Sequence, residues 1–285
     1  MAYASPRRIV VWADGSAEAA HAAGWAAAHA AARALPLHLL HAPQIGVLAD
    51  AGGPRSAGGA FAARNHAAVD VVLLAKEVRR IRDLHRDLAV SVEAVKDGAA
   101  RPDPDHTEAG DVLVTGPGGF LSLFALVETD WSRHECAPVP FVVVPDTMAQ
   151  QEKPDRPRVL LVTGTRLSCA SAAFAFEAAA DLGASLDVVR VSPQDGAFGD
   201  DYWIDVGRVP YRTESRLQNE LAKLRALFPA VPGTMATLRT RPLATMRTMA
   251  RGTHLAVVGN GPEAGRDLRA LLGLGLCPVA VVPEA

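Results

Sequence analysis

The chain has 285 residues, 49% of them hydrophobic and 21% charged, with a net charge of −2 from 29 basic and 31 acidic side chains. That length allows one large domain or two of about 140 residues, and near-balanced charge gives no global field to hold nucleic acid or an anionic membrane, which argues against both as main partners. Cys136, Cys169 and Cys277 form no Cys-x-x-Cys pair, which rules out a disulfide scaffold or zinc module and fits a protein of the reducing cytoplasm, while 5% aromatics argue against a carbohydrate- or single-strand-binding groove.

Met1 to Arg8 runs into an apolar stretch of only five residues, too short for a secretory core segment. That stretch, Ile9-Val-Val-Trp-Ala13, reads as a strand, and Asp14-Gly-Ser16 as the turn after it, with Ser16 placed to cap a helix. Residues Ala17 to Leu35 are Ala-rich and long enough to cross a bilayer. Glu18, His21, His29 and Arg33, together with the weak apolarity of Ala, mark them instead as a soluble helix. Pro36 to Ala42 is the second strand, and Leu48 to Gly59 is a Gly/Ala-rich loop. From Asn65 to Leu88 the residues Leu74, Val78, Ile81, His85 and Leu88 share one stripe, with Arg79, Arg80, Arg82 and Arg86 opposite, which predicts an amphipathic helix. Strands follow at Val90 to Lys96, at Val112-Leu-Val-Thr-Gly116 and at Pro140-Phe-Val-Val-Val-Pro145. Two prolines forbid a normal helix at Ala100 to His106.

About 150 residues on, the pattern recurs. Val159-Leu-Leu-Val162 precedes Thr163-Gly-Thr165, an Ala/Phe-rich helix and the strand Ala184 to Val191. Leu217, Leu221, Leu224 and Phe228 stripe the next helix, Thr234 to Arg239 is a strand, and Pro242 to Arg251 a helix. Leu255-Ala-Val-Val-Gly259 and Pro278-Val-Ala-Val-Val-Pro283 complete the set. Apolar runs without alternation are those of parallel strands covered on both faces, so each half reads as an open α/β sheet. The expected division is residues 1–146, a polar linker at 147–157 and a shorter second domain at 158–285.

The Asp14-Gly15-Ser16 turn, the loop Gly116-Pro-Gly-Gly-Phe120 and the two Pro-to-Pro endings resemble the universal stress protein family in tandem form. The resemblance implies five-stranded parallel sheets in the order 3-2-1-4-5 with helices on both faces, an adenine nucleotide alpha hydrolase-like fold. It also implies a crevice between strands 1 and 4, where many members bind ATP. Carried over, Asp14 would meet the adenosine moiety, and Gly116, Gly118 and Gly119 the phosphates of ATP or another adenine nucleotide; Gly259 and Gly261 are the second-half equivalents. The nucleotide-binding pattern Gly-x2-Gly-x9-Gly-(Ser/Thr) fails here. Aligned on Gly116, it puts Leu113 at its first glycine and Leu126 and Val127 at its Gly-Ser pair; a small gap elsewhere recovers the first glycine but not the pair. In the second half Thr163-Gly164 lacks the carboxylate, and Glu263 would repel an anion. The expectation is a non-enzymatic stress-response interaction module with eroded nucleotide sites. Its halves would pair as a pseudo-dimer through Phe141 to Val144 and Val279 to Val282, with an unidentified protein partner or a further homodimer. The alternative is an adenine-nucleotide sensor using the first half.

Other motifs carry less. Gly259-x-Gly-x-x-x-Gly265 lacks the acidic residue a dinucleotide fingerprint requires about 20 positions on. His85-Arg-Asp-Leu88 spells part of a kinase loop inside an expected helix, without its Asn. His38 and His41, three apart in a strand, point to opposite faces, and His21 and His29 lie two turns apart on an Ala-rich helix surface, so no metal site is expected. Tyr202 and Trp203, in the loop Ser192 to Pro210, are expected to pack inward.

Overall fold

The computed structural model describes residues 5–41, 72, 74–95, 106–118, 139–146, 156–164, 167–191, 211–238, 243–259 and 271–283. The chain divides into two compact units, residues 6–146 and residues 147–285, the first five residues grouping with the second. The first holds β1 (Arg8–Ala13), α1 (Ala17–Ala32), β2 (Leu37–His41), α2 (residues 74–84), β3 (Val90–Ala94), β4 (Asp111–Thr115) and β5 (Phe141–Val143). Its strands are parallel, in the order β3-β2-β1-β4-β5. The second holds β6 (Arg158–Thr163), α3 (Cys169–Leu182), β7 (Ser185–Val191), α4 (Tyr211–Leu227), β8 (Gly233–Leu238), α5 (Leu243–Ala250), β9 (Leu255–Gly259) and β10 (Val279–Val282). It repeats the order as β8-β7-β6-β9-β10, again parallel.

The unalternating strands are covered on both faces: every residue of β2 and β4 is buried, and so is β1 beyond Arg8. On α1 the buried residues Ala19, Ala22, Ala23, Ala26, Ala27 and Ala30 recur at helical spacing. Small side chains there let the helix lie close on the sheet. Ser16 starts α1 by accepting the Ala19 N–H on Oγ at 3.0 Å, and Ser168 starts α3 in the same way at 3.3 Å. The two helices end differently. Gly183 caps α3 at φ 58°, whereas Ala34, just past α1, takes φ 51° without the freedom of glycine.

The stripe expected on α2 is present, with Ile81 buried and Leu74, Val78, His85 and Leu88 partly so. The helix stops at residue 84, four short of the expected end, and residues 85–89 turn the chain into β3. His85-Arg-Asp-Leu88 therefore lies in that turn and not within a helix. At the N-terminal end of the first sheet, Asp111 is buried. It accepts from Arg8 Nε at 2.9 Å and from the Glu108 N–H at 2.8 Å, tying β1 to β4. In the second unit Arg158 holds the corresponding corner through the carbonyls of Met249 and Arg251, at 2.6 and 2.8 Å. No helix among the described residues is long and apolar enough to cross a membrane.

Candidate functional site

In an open parallel sheet, ligands bind beyond the carboxyl ends of the strands, at the point where strand order reverses. In the first unit that point lies between β1 and β4. The chain leaves β1 through Asp14, Gly15 and Ser16, and leaves β4 through Gly116 and Gly118. Asp14 and this glycine loop therefore come to the same edge of the sheet. Asp14 Oδ1 accepts the Ser16 N–H at 2.9 Å, closing the turn into α1.

The loop after β4 is already engaged. The Gly118 N–H donates to Glu18 Oε2 at 3.0 Å, so a carboxylate from the first turn of α1 occupies a backbone donor that a phosphate would use. Gly116 lies against that same turn: a Cβ on it would stand 3.0 Å from Glu18 Cβ and 3.1 Å from the Glu18 carbonyl carbon. The missing side chain of Gly116 is thus needed for helix and loop to approach. Glu18 also sits at the positive end of α1, which stabilises its charge in place. Gly119, Leu126 and Val127 lie outside the described residues.

On the β2 side of β1, Ala13, Gly15, Ser16, Ala19, Ala23, Leu39 and His41 line a partly open cleft flanked by Leu74 and Glu77 of α2. Its volume is about 50 Å³. His41 is buried and its Nδ1 lies 3.1 Å from the Ala13 carbonyl. A carbonyl only accepts, so Nδ1 carries the hydrogen of this contact. His38 faces the other side of the sheet, with Nδ1 2.8 Å from Ser91 Oγ and Nε2 3.3 Å from Glu93 Oε2. His29 departs from the expected surface position. It is 6% exposed and stacked on Trp25 with ring centroids 4.8 Å apart, and burial followed by the nearby Arg33 charge lowers its pKa to about 3. No group of three His, Cys, Asp or Glu side chains stands at metal-binding spacing among the described residues.

In the second unit Thr163 pairs with Arg190 as Ala13 pairs with His41, so Gly164 takes the place of Asp14 and no carboxylate stands there. Gly259 ends β9 opposite Val282. Gly261, Glu263, Tyr202 and Trp203 lie outside the described residues. The Cys277 thiol is buried and pushed up to about 12, which makes it inert, while Cys169 is exposed. Sequence reasoning overlooked Glu18 as a partner of the glycine loop and Ser91 altogether.

The family model for the universal stress protein family matches residues 6–145. No curated protein sequence matches the chain. Among solved structures, a universal stress protein from Archaeoglobus fulgidus DSM 4304 superposes with a TM-score of 0.54 at 13% identity, covering 99% of this chain and 98% of that one. A universal stress protein in complex with cAMP (TM-score 0.33, 18% identity) covers 46% of this chain and 98% of its own. One from Archaeoglobus fulgidus in complex with dAMP (TM-score 0.31, 17% identity) covers 45% of this chain and 97% of its own. Through residues 6–145 the chain belongs to the universal stress protein family, and its second unit repeats the same α/β strand order.

Proposed function

We propose that this universal stress protein is a non-enzymatic stress-response interaction module of the cytoplasm, whose first unit does not use its glycine loop to hold nucleotide phosphates. The observation that carries this reading is the Glu18 carboxylate on the Gly118 N–H. An anion arriving there must displace an anion already bonded. Leu113 lies within β4, and the loop after it keeps Gly116 and Gly119 at the spacing of the family's first two glycines; the absence of its Gly-(Ser/Thr) pair beyond them supports the same conclusion from the sequence. What the chain keeps is the scaffold, with Gly116 preserved for helix packing.

The test is the absorbance ratio of purified protein at 260 and 280 nm, with chromatography of whatever acid releases, beside the ATP response of wild type and Asp14→Ala. The expected result is no co-purified adenine nucleotide and no ATP response that depends on Asp14. Glu18→Ala, which frees the Gly118 N–H, should then bind ATP about tenfold more tightly than wild type, the worth of one charge-assisted hydrogen bond. An adenine nucleotide bound to wild type and lost in Asp14→Ala would overturn the reading. It would make the first unit a nucleotide sensor.

A further inference from the structure

β3 is the outer strand of the first sheet, with β2 its neighbour there. Register pairs Ser91 with His38, so His38, Ser91 and Glu93 share one face, opposite the face that carries His41 and the cleft. His38 is 9% exposed, whereas Ser91 and Glu93 are open to solvent. A buried imidazole thus stands between two accessible side chains, with Nδ1 2.8 Å from Ser91 Oγ and Nε2 3.3 Å from Glu93 Oε2. The other acceptor within reach of the Ser91 hydroxyl is the Leu37 carbonyl, at 3.5 Å the weaker partner. Hydroxyl, imidazole and carboxylate in this order are the groups that make a serine nucleophilic. In the neutral ring with its hydrogen on Nε2, Nδ1 takes the hydroxyl proton, and the carboxylate stabilises the imidazolium that forms.

Two neighbouring features select the electrophile. Glu93 sets a negative charge beside Ser91, which repels phosphate and sulfate donors and favours a neutral carbonyl carbon. The backbone adds a donor for the oxyanion such a carbon would generate. The Leu37 N–H donates to the Ala89 carbonyl at 2.9 Å and the Val95 N–H to the His41 carbonyl at 2.8 Å, so the odd-numbered residues of β3 bond inward to β2. Val90, Val92 and Ala94 therefore turn their backbone groups outward, and the Val90 carbonyl accepts from Arg82 Nη2 at 3.1 Å. The N–H of Val92, the residue after Ser91, has no strand partner among the described residues and faces the open edge.

We propose that Ser91 is an acyl-acceptor site, activated by His38 and Glu93, that takes an acyl group from a thioester. Ser91 Oγ attacks the carbonyl carbon as its proton passes to His38 Nδ1. The C–S bond then breaks, and the thiolate leaves with that proton. An ester on Ser91, a free thiol and a neutral His38 result, with no change of oxidation state. The step modifies the chain once and requires no turnover, so it stands beside the proposed interaction role. It uses neither Asp14 nor the Gly116 loop.

The experiment incubates full-length wild type, Ser91→Ala, His38→Gln and Glu93→Gln with the acetyl thioester of N-acetylcysteamine and follows acetylation by mass spectrometry of tryptic peptides. Ser91 is the one hydroxyl residue between Asp87 and Lys96, which makes its label unambiguous in fragmentation. Ser5 is the internal reference: it is exposed, and its Oγ donates to Glu177 Oε1 at 2.7 Å, a carboxylate in place of an imidazole. Ser91 should be acetylated about 100-fold faster than Ser5, the low end of what a general base contributes. His38→Gln should bring Ser91 down to the rate of Ser5. Glu93→Gln should slow it about threefold with Tm unchanged, as expected for an exposed pair that acts through the ring. Ser91→Ala should lose the label while Ser5 keeps its own. Should His38→Gln fail to fold, the ratio of Ser91 to Ser5 in wild type and the Glu93→Gln rate decide. The proposal is overturned if Ser91 is acetylated no faster than Ser5, or if either folded His38→Gln or Glu93→Gln keeps the wild-type rate.

Discussion

Acidification should destabilise the first unit through one side chain, His29. Its imidazole is buried in α1 against Trp25, and its pKa falls from 6.5 to about 3, first because burial disfavours the charged ring and then because of Arg33. The folded state thus binds fewer protons than the unfolded one between those two values, so stability rises with pH there and falls as pH is lowered. The loss begins as pH drops through 6.5 and accumulates at about 1.36 kcal/mol per pH unit, reaching about 2 kcal/mol at pH 5. For a unit of this size that corresponds to a Tm lower by about 4–8 °C. Calorimetry of wild type and His29→Gln between pH 7.5 and 4.5 measures it: wild type should lose Tm steadily, and the variant should lose less by about that amount. NMR of the imidazole should show no titration above pH 4.5. A His29 resonance that titrates near pH 6.5, or parallel Tm curves for the two proteins, would refute the reasoning.

Asp111→Ala should lower the stability of the first unit by about 2–3 kcal/mol in urea unfolding, because it leaves Arg8 and the Glu108 N–H without their buried acceptor. Arg8 is partly solvent-exposed and can rehydrate, which keeps the cost below that of a fully buried pair, and a loss under about 0.5 kcal/mol would contradict the lock between β1 and β4. Ala34→Gly should stabilise the same unit by about 0.5–1 kcal/mol, since glycine relieves the left-handed strain at φ 51° and gives back only part of the gain as unfolded-state entropy. A lower urea midpoint for Ala34→Gly would show that the alanine methyl contributes packing that outweighs the strain.

Strands were legible in the sequence because their signal is local. Runs such as Val159 to Val162 have no polar residue to alternate, and parallel strands buried on both faces require that pattern. Ser16 was legible for the same reason, since a cap acts three residues away. The end of α2 was not. His85 to Leu88 continue the apolar stripe and contain no glycine or proline, so only the need to deliver Val90 into β3 stops the helix. Nor was the burial of His29, because an Ala-rich helix has no strongly polar face from which to read its orientation. The contact between Glu18 and Gly118 joins residues 100 apart and belongs to tertiary structure alone. The same holds for Ser91, which meets His38 from 53 residues away.

The carboxylate of Glu18 is fixed to the same chain as the amide it engages, and that makes the glycine loop self-liganded. Its effective concentration is set by the fold, on the order of millimolar or above, and does not fall when the protein is diluted. The apparent affinity of a competing anion for the Gly118 N–H is lowered by the fraction of time Glu18 holds it. Control of the loop therefore rests with whatever shifts the first turn of α1, and any partner that pulls Glu18 away would create an anion site where there was none.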